Sequence, residues 1–174
     1  REAVAKGCLA IPANIHHKNI KPKAVGTLAD GRPTSTKVNV NLGISGDLAN
    51  EEVEWEKVQV SLELGADGIM DLSNSGKTEQ FRKKLIKKAP CMIGTVPMYD
   101  AIGYLEKALV KITAEDFLRV VEKHAEDGVD FVTVHAGMNR RVIESFKETG
   151  RLTNIVSRGG SLIFAWTETT GNAN

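Results

Sequence analysis

Cysteine is nearly absent from this sequence: of 174 residues only Cys8 and Cys91 are cysteines. They stand far apart and in no CxxC or Cys/His spacing, which argues against a disulfide framework and against a structural zinc, so no metal ligand is assigned in the chain. Surplus charge of one sign is missing as well. A formal net charge of +1 does not supply the clustered basic residues with which nucleic acid or an anionic membrane is held, so neither is expected as a partner. No run reaches the ~18 apolar residues of a membrane span. The start at Arg1 has neither an initiator methionine nor a signal-peptide core. A cytoplasmic fragment or processed chain is expected, and the apolar stretch Ser161–Trp166 just before the end at Asn174 points the same way. What is present is ample apolar material, 41% hydrophobic beside 26% charged residues, enough for one sizeable core with a small soluble ligand as the partner.

Residues 1–35 are mixed and punctuated by Gly7, Pro12, Pro22 and Gly26, which predicts an irregular N-terminal arm ending in the turn-rich loop Ala29–Ser35. From residue 36 to 174 the pattern is periodic. Lys37–Leu42 alternates as a strand does, and Glu51–Leu64 places Trp55, Val58 and Leu62 on one helical face before Gly65. The order then repeats. Strands are predicted at Gly68–Leu72, Cys91–Thr95, Val129–His135 and Asn154–Ser157. Helices are predicted over Thr78–Lys88, with Phe81 and Leu85 inward, over Tyr99–Leu109, from a capping box at Thr113 to a stop at Gly128, over Arg140–Glu148, and after Gly159–Gly160.

Strands that alternate with helices pair in parallel, because each helix returns the chain to the same end of the sheet. About five βα units predict the α/β class, either a partial (β/α)8 barrel or an open doubly wound sheet. In both, ligands bind at the carboxyl ends of the strands. The polar or soft residues there are Asn39, Asn41, Met70, Asp71, Thr95, Tyr99, His135 and the turn Ser157–Gly160. With few ionisable groups, this set suits a neutral heterocycle and ribose better than hydrolysis by paired carboxylates.

Each candidate has a structural reading beside the functional one. The Ser157–Gly160 turn before a helix is a phosphate cradle, with Arg158 adding charge, or only a tight turn. His135 is a donor to substrate, a proton carrier or a satisfied structural residue. Asp71 is a base or, more commonly, the cap of the loop after its strand. Asn39 and Asn41 face the same side of a strand. His124 reads as a surface or helix-end residue, and Arg82, Lys83, Lys84, Lys87 and Lys88 as a solvated helix face. His16 and His17, being adjacent, point apart and do not suggest a metal site.

The stretches Ile11–Asn14, Lys37–Gly43, Ile69–Ser73, Gly94–Tyr99, Gly128–Gly137 and Ile155–Ser161 resemble, in order and almost end to end, the phosphomethylpyrimidine synthase family of radical S-adenosylmethionine enzymes, which includes the related 5-hydroxybenzimidazole synthases. The resemblance implies a (β/α)8 barrel of which this chain carries about the first five βα units. It also implies a site for aminoimidazole ribonucleotide built from Asn41, Met70, Tyr99, His135, Ser157, Arg158 and Gly159. It implies a 4Fe–4S cluster, S-adenosylmethionine, zinc and a homodimer for the full-length family, with the cluster cysteines and zinc histidines C-terminal to anything present here. The implied parent enzyme makes the thiamine pyrimidine, while these residues alone are expected to be inactive. The competing expectations are benzimidazole synthesis for anaerobic cobamides and a non-catalytic nucleotide-binding or interaction fragment.

Overall fold

The computed structural model describes residues 1–172 except Leu48, Gly76, Lys77 and Glu106. Asn174, the end of the chain, and Glu106, inside a predicted helix, lie outside the described residues.

The arm carries a short helix α1 (Glu2–Ala5) and a two-stranded antiparallel ribbon, β1 (Leu9–Ala10) against β2 (Val25–Gly26). A bridge from Thr27 to Pro33 closes the turn-rich loop predicted there. The stretch between the two ribbon strands is fastened to the main body. Asn14 Nδ2 donates to the carbonyls of Ala125 and Val129, and its backbone N–H donates to Asp130. His16 is exposed, whereas His17 is buried between Asp130 Oδ2 at 2.7 Å and the Ala89 carbonyl at 2.9 Å.

The main body follows the βα order: β3 (Asn39–Leu42), α2 (Glu51–Glu63), β4 (Gly68–Asp71), α3 (Thr78–Lys88), β5 (Met92–Thr95), α4 (Pro97–Leu105), a 3-10 turn at Leu109–Lys111, α5 (Ala114–Asp127), β6 (Phe131–Val132), α6 (Arg140–Thr149) and α7 (Arg158–Thr170). Local chemistry explains most boundaries. Asn50 caps α2 by accepting from the N–H groups of Glu52 and Val53. Thr113 and Asp116 form the reciprocal capping box of α5, and Gly128 ends that helix in the left-handed region at φ 105°. The helix predicted from Tyr99 begins two residues earlier, at Pro97, since proline suits the first helical position, where its missing N–H costs no hydrogen bond.

The four strands pair in parallel in sequence order, β3-β4-β5-β6, with Asn41 opposite Met70, Met70 opposite Gly94 and Gly94 opposite Phe131. Leu42, Ile69 and Ile93 share one face and form the core with Val58 of α2 and Phe81 and Leu85 of α3. Trp55 and Leu62 pack at its border, as their helical spacing predicts. The row Asn41, Met70, Gly94, Phe131 lies on the other face. A doubly wound sheet needs a reversal of strand order and helices on both faces. Here the order does not reverse, and the core helices α2 and α3 lie on one face, the arrangement of a partial (β/α)8 barrel.

Two predicted strands differ. The fourth shrinks to Phe131–Val132, extended by backbone bonds from Asp130 to Ile93 and from Thr133 to Thr95. The fifth, Asn154–Ser157, is not a strand, so the fifth unit is represented by α7 alone. Alternating residues make a strand only where a ladder accepts their backbone groups, and Val134 and Val156 are exposed beyond the last pairing.

Two side chains lie deeper than their local sequence suggests. Arg82, read as part of a solvated face, is 1% exposed, and His124, read as a surface or helix-end residue, stands in the last turn of α5 but is also only 1% exposed. Both are drawn inward by buried carboxylates from neighbouring helices. Arg82 binds Asp100 and Asp127, and His124 Nε2 lies 2.9 Å from Asp100.

Candidate functional site

The carboxyl ends of β5 and β6 bring Tyr99, His135, Ser157, Arg158 and Gly159 together. His135 follows β6, and its ring centroid lies 6.2 Å from that of Tyr99 in the first turn of α4. Ser157, the N-cap of α7, places Oγ 3.2 Å from His135 Nε2 while accepting from the N–H of Gly160. The Arg158 guanidinium stands 5.9 Å from the Tyr99 ring centroid, within the range of a cation–π contact. The imidazole also packs directly on Gly159. A Cβ at that position would sit 2.0 Å from His135 Cε1, so only glycine lets the ring and the helix start approach this closely.

Asn41 and Met70 join this rim through the sheet rather than by contact with it. They are paired neighbours on the face opposite the core helices α2 and α3, with Asn41 exposed and Met70 mostly covered. Asn39 Nδ2 donates to Asn41 Oδ1 at 3.0 Å, which orients the Asn41 amide. Phe131 closes the row by lying over Gly94, where a Cβ would be 2.4 Å from the ring. Asp71 and Thr95 alternate to the other face. Asp71 Oδ1 accepts from the N–H of Ser73, the loop-capping role, and burial pushes its carboxyl pKa up.

Behind the rim lies the cluster that the local sequence hides. The two oxygens of Asp100 accept from Thr78 at 2.7 Å, Arg82 at 3.1 Å and His124 at 2.9 Å, and His124 Nδ1 lies 2.8 Å from Thr95 Oγ1. The signal was positional. Arg82 falls four residues after Thr78 and three before Leu85, and His124 four after Val120, so both occupy the inward stripe of their helices.

Burial alone would favour neutral Asp100, but bonds from His124 and Thr78 and the charge of Arg82 outweigh it and hold the carboxyl below its usual value. At Asp116 the bond from Lys107 leads and lowers the pKa to about 2. Both values fall below the unfolded reference of roughly 3.9, so the stability they contribute is present above that pH and lost as pH falls through the folded values. Asp71 works in the opposite sense, because acid relieves the cost of its burial. The expected outcome is a thermal midpoint that declines on acidification from about pH 4 toward pH 2, and an Asp116→Asn variant whose decline is shallower. Circular dichroism melts across that range check it, and parallel curves for the two proteins would remove Asp116 from the account.

A cavity of about 300 Å³ flanks the rim, lined mainly by apolar side chains that include Met98, Phe117, Val134, Ile163 and Trp166, with His135 at its border. Among the described residues no three His, Cys, Asp or Glu side chains are grouped as metal ligands, and no helix is long and apolar enough to cross a membrane.

A protein-family model described as the radical SAM ThiC family matches residues 1–174. The chain is 56% identical over 173 residues to the phosphomethylpyrimidine synthase of Clostridium tetani, covering 99% of this chain and 37% of that relative. It is 53% identical over 174 residues to the enzyme of that name from Alkaliphilus oremlandii, covering 100% and 39%. The corresponding protein of Fusobacterium nucleatum is 57% identical over 173 residues, covering 99% and 39%. The chain thus spans about two-fifths of the length of these curated relatives. With parallel βα units in barrel order, a polar rim at the strand ends and a match along all 174 residues, the chain belongs to the radical SAM ThiC family.

Proposed function

We propose that the protein carrying these residues converts aminoimidazole ribonucleotide into 4-amino-5-hydroxymethyl-2-methylpyrimidine phosphate for thiamine synthesis, and that this chain supplies part of the ribonucleotide site. The observation that carries the proposal is the convergence of Tyr99, His135, Ser157, Arg158 and Gly159 at one rim, with Asn41 and Met70 on the same sheet.

In this reading the phosphate sits at the start of α7, a 13-residue helix whose first-turn N–H groups and dipole favour an anion, with Arg158 adding a full positive charge. Tyr99 and His135 hydrogen bond to the ribose or heterocycle, Asn41 offers its amide, and Met70 packs against the ring.

The family's radical chemistry implies S-adenosylmethionine and a 4Fe–4S cluster in the full-length protein. Holding that cluster takes three cysteine thiolates. The chain has only Cys8, exposed in the arm, and Cys91, buried just before β5 at the opposite end of the strands from the rim. Burial pushes the Cys91 thiol up to about 11, which disfavours the thiolate a metal requires. These residues do not fit the cluster, and no step is assigned through it. We place the cluster and zinc ligands elsewhere in the full-length protein, a cytoplasmic homodimeric lyase, with residues 1–35 as its arm and 36–174 as the barrel portion.

Calorimetry of the complete gene product with aminoimidazole ribonucleotide, and with the nucleoside lacking the phosphate, tests the site. Saturable binding that weakens at least tenfold without the phosphate is expected, as is a similar loss on Arg158→Ala, in line with about 1.5–3 kcal/mol for hydrogen bonds to charged groups. Equal affinity for the two ligands would remove the phosphate from the α7 turn. Product analysis of the turnover mixture then separates a pyrimidine from the benzimidazole of the sister activity.

A further inference from the structure

Tyr99 and Asp100 are consecutive in the first turn of α4 and serve opposite sides of it. Tyr99 faces His135 and Arg158 at the rim, whereas Asp100 is 5% exposed and held by α3 and α5. Successive helical residues point about 100° apart, so the direction of one sets that of the other. His124 spans Thr95 and Asp100 with its two ring nitrogens, at 2.8 and 2.9 Å. One buried imidazole therefore joins the last residue of β5 to the first turn of α4 and clamps Val96–Tyr99 between them.

Resting on the ribonucleotide reading above, we infer that His124 and Asp100, backed by Arg82 and Thr78, are the positioning residues that hold Tyr99 in the ligand site. Thr95, His124 and Asp100 lie on the side of the sheet that carries α3 and α5. Their action goes through the short clamped segment. The composition of the cluster supports this role. Apolar side chains of similar volume would hold three helices together at least as firmly, since buried ion pairs contribute little net stability over well-packed hydrophobic replacements. A bridged imidazole and a carboxylate accepting three bonds fix a single approach angle instead. Asp127 completes the set by accepting two bonds from the far side of Arg82, leaving Nη1 of the guanidinium aimed at Asp100.

The test is a double-mutant cycle in the complete gene product. Asp100→Asn and His124→Ala are expected to lower affinity for aminoimidazole ribonucleotide about tenfold. His124→Gln, whose amide keeps a donor toward Asp100, is expected to restore most of it. In a Tyr99→Ala background Asp100→Asn should cost less than twofold, because the residue it acts through is gone. An undiminished tenfold cost there overturns the inference, since a general loosening of the fold would not depend on Tyr99. A second readout needs no ligand. The Tyr99 ring shifts the NMR resonances of the His135 ring protons, and Asp100→Asn should move them toward their positions in Tyr99→Ala. Unmoved resonances also overturn the inference, even if the wild-type protein proves not to bind the ribonucleotide, which would overturn the functional reading separately. Should Asp100→Asn fail to fold, Thr95→Val removes only the outer end of the bridge and is expected to shift the same resonances.

Discussion

Replacing Gly159 by alanine is expected to lower ribonucleotide affinity by about a hundredfold or more while leaving the melting temperature nearly unchanged. The added methyl would lie 2.0 Å from Cε1, 2.4 Å from Nε2 and 2.5 Å from Nδ1 of His135, distances at which the ring must leave. His135 is only half-buried and follows a short edge strand, so the ring has room to swing outward at small cost to the fold. Alanine is also a better helix former than glycine by about 1 kcal/mol, which offsets part of any strain at the start of α7. The site, by contrast, loses the Ser157–His135 hydrogen bond and the Tyr99–His135 ring contact together. Displacing a positioned group by an ångström commonly costs two orders of magnitude in function. Calorimetry beside a thermal melt measures both quantities. Wild-type affinity in the alanine variant would mean that His135 does not contribute to ligand binding from the position described.

Arg82→Ala is expected to be the most damaging single change to the fold, at about 3–5 kcal/mol. The guanidinium is 1% exposed and donates three hydrogen bonds, one to Asp100 and two to Asp127. Removing it leaves two buried carboxylates short of their cation. Lys123 still reaches Asp127 at 3.0 Å and His124 still reaches Asp100 at 2.9 Å, so the loss falls short of stranding two isolated charges. Against a total stability of roughly 5–15 kcal/mol for a domain, this is a large fraction. Arg82→Lys should fall between, because an ammonium keeps the charge without the planar fork that meets both partners. Urea unfolding reads the difference, as a lower midpoint with an unchanged slope. A midpoint for the alanine variant within error of the wild type would show that the cluster carries little net stability and leave only its geometric role.

The parts of this protein legible in the sequence are those decided within a few residues. The Asn50-capped helix and the Thr113–Asp116 capping box follow from side chains that satisfy nearby backbone groups, and the Gly128 stop from a residue that adopts the left-handed region at φ 105°. The alternation around Asn39–Leu42 likewise fixed which residues face the core and which face the opposite side of the sheet. Asn154–Ser157 misleads for the complementary reason. Its composition is that of a strand, but a strand exists only with a neighbour to pair with, and here the segment has no ladder. Arg82 misled through its residue type, since a charged side chain in a basic run looks solvated until the carboxylates of other helices are counted, and His124, at a helix end as its position indicates, is buried by the same carboxylate cluster.

By itself the sequence determined the α/β class, the parallel order of the βα units and the family, because each rests on short-range periodicity or on motifs carried intact in the chain. Only the tertiary structure decided that the strands keep barrel order with the core helices on one face, that the His135 ring sits on Gly159, and that one buried imidazole joins Thr95 to Asp100 beneath Tyr99. Such contacts join residues tens of positions apart, and their energies depend on desolvation and on partners that no local window contains.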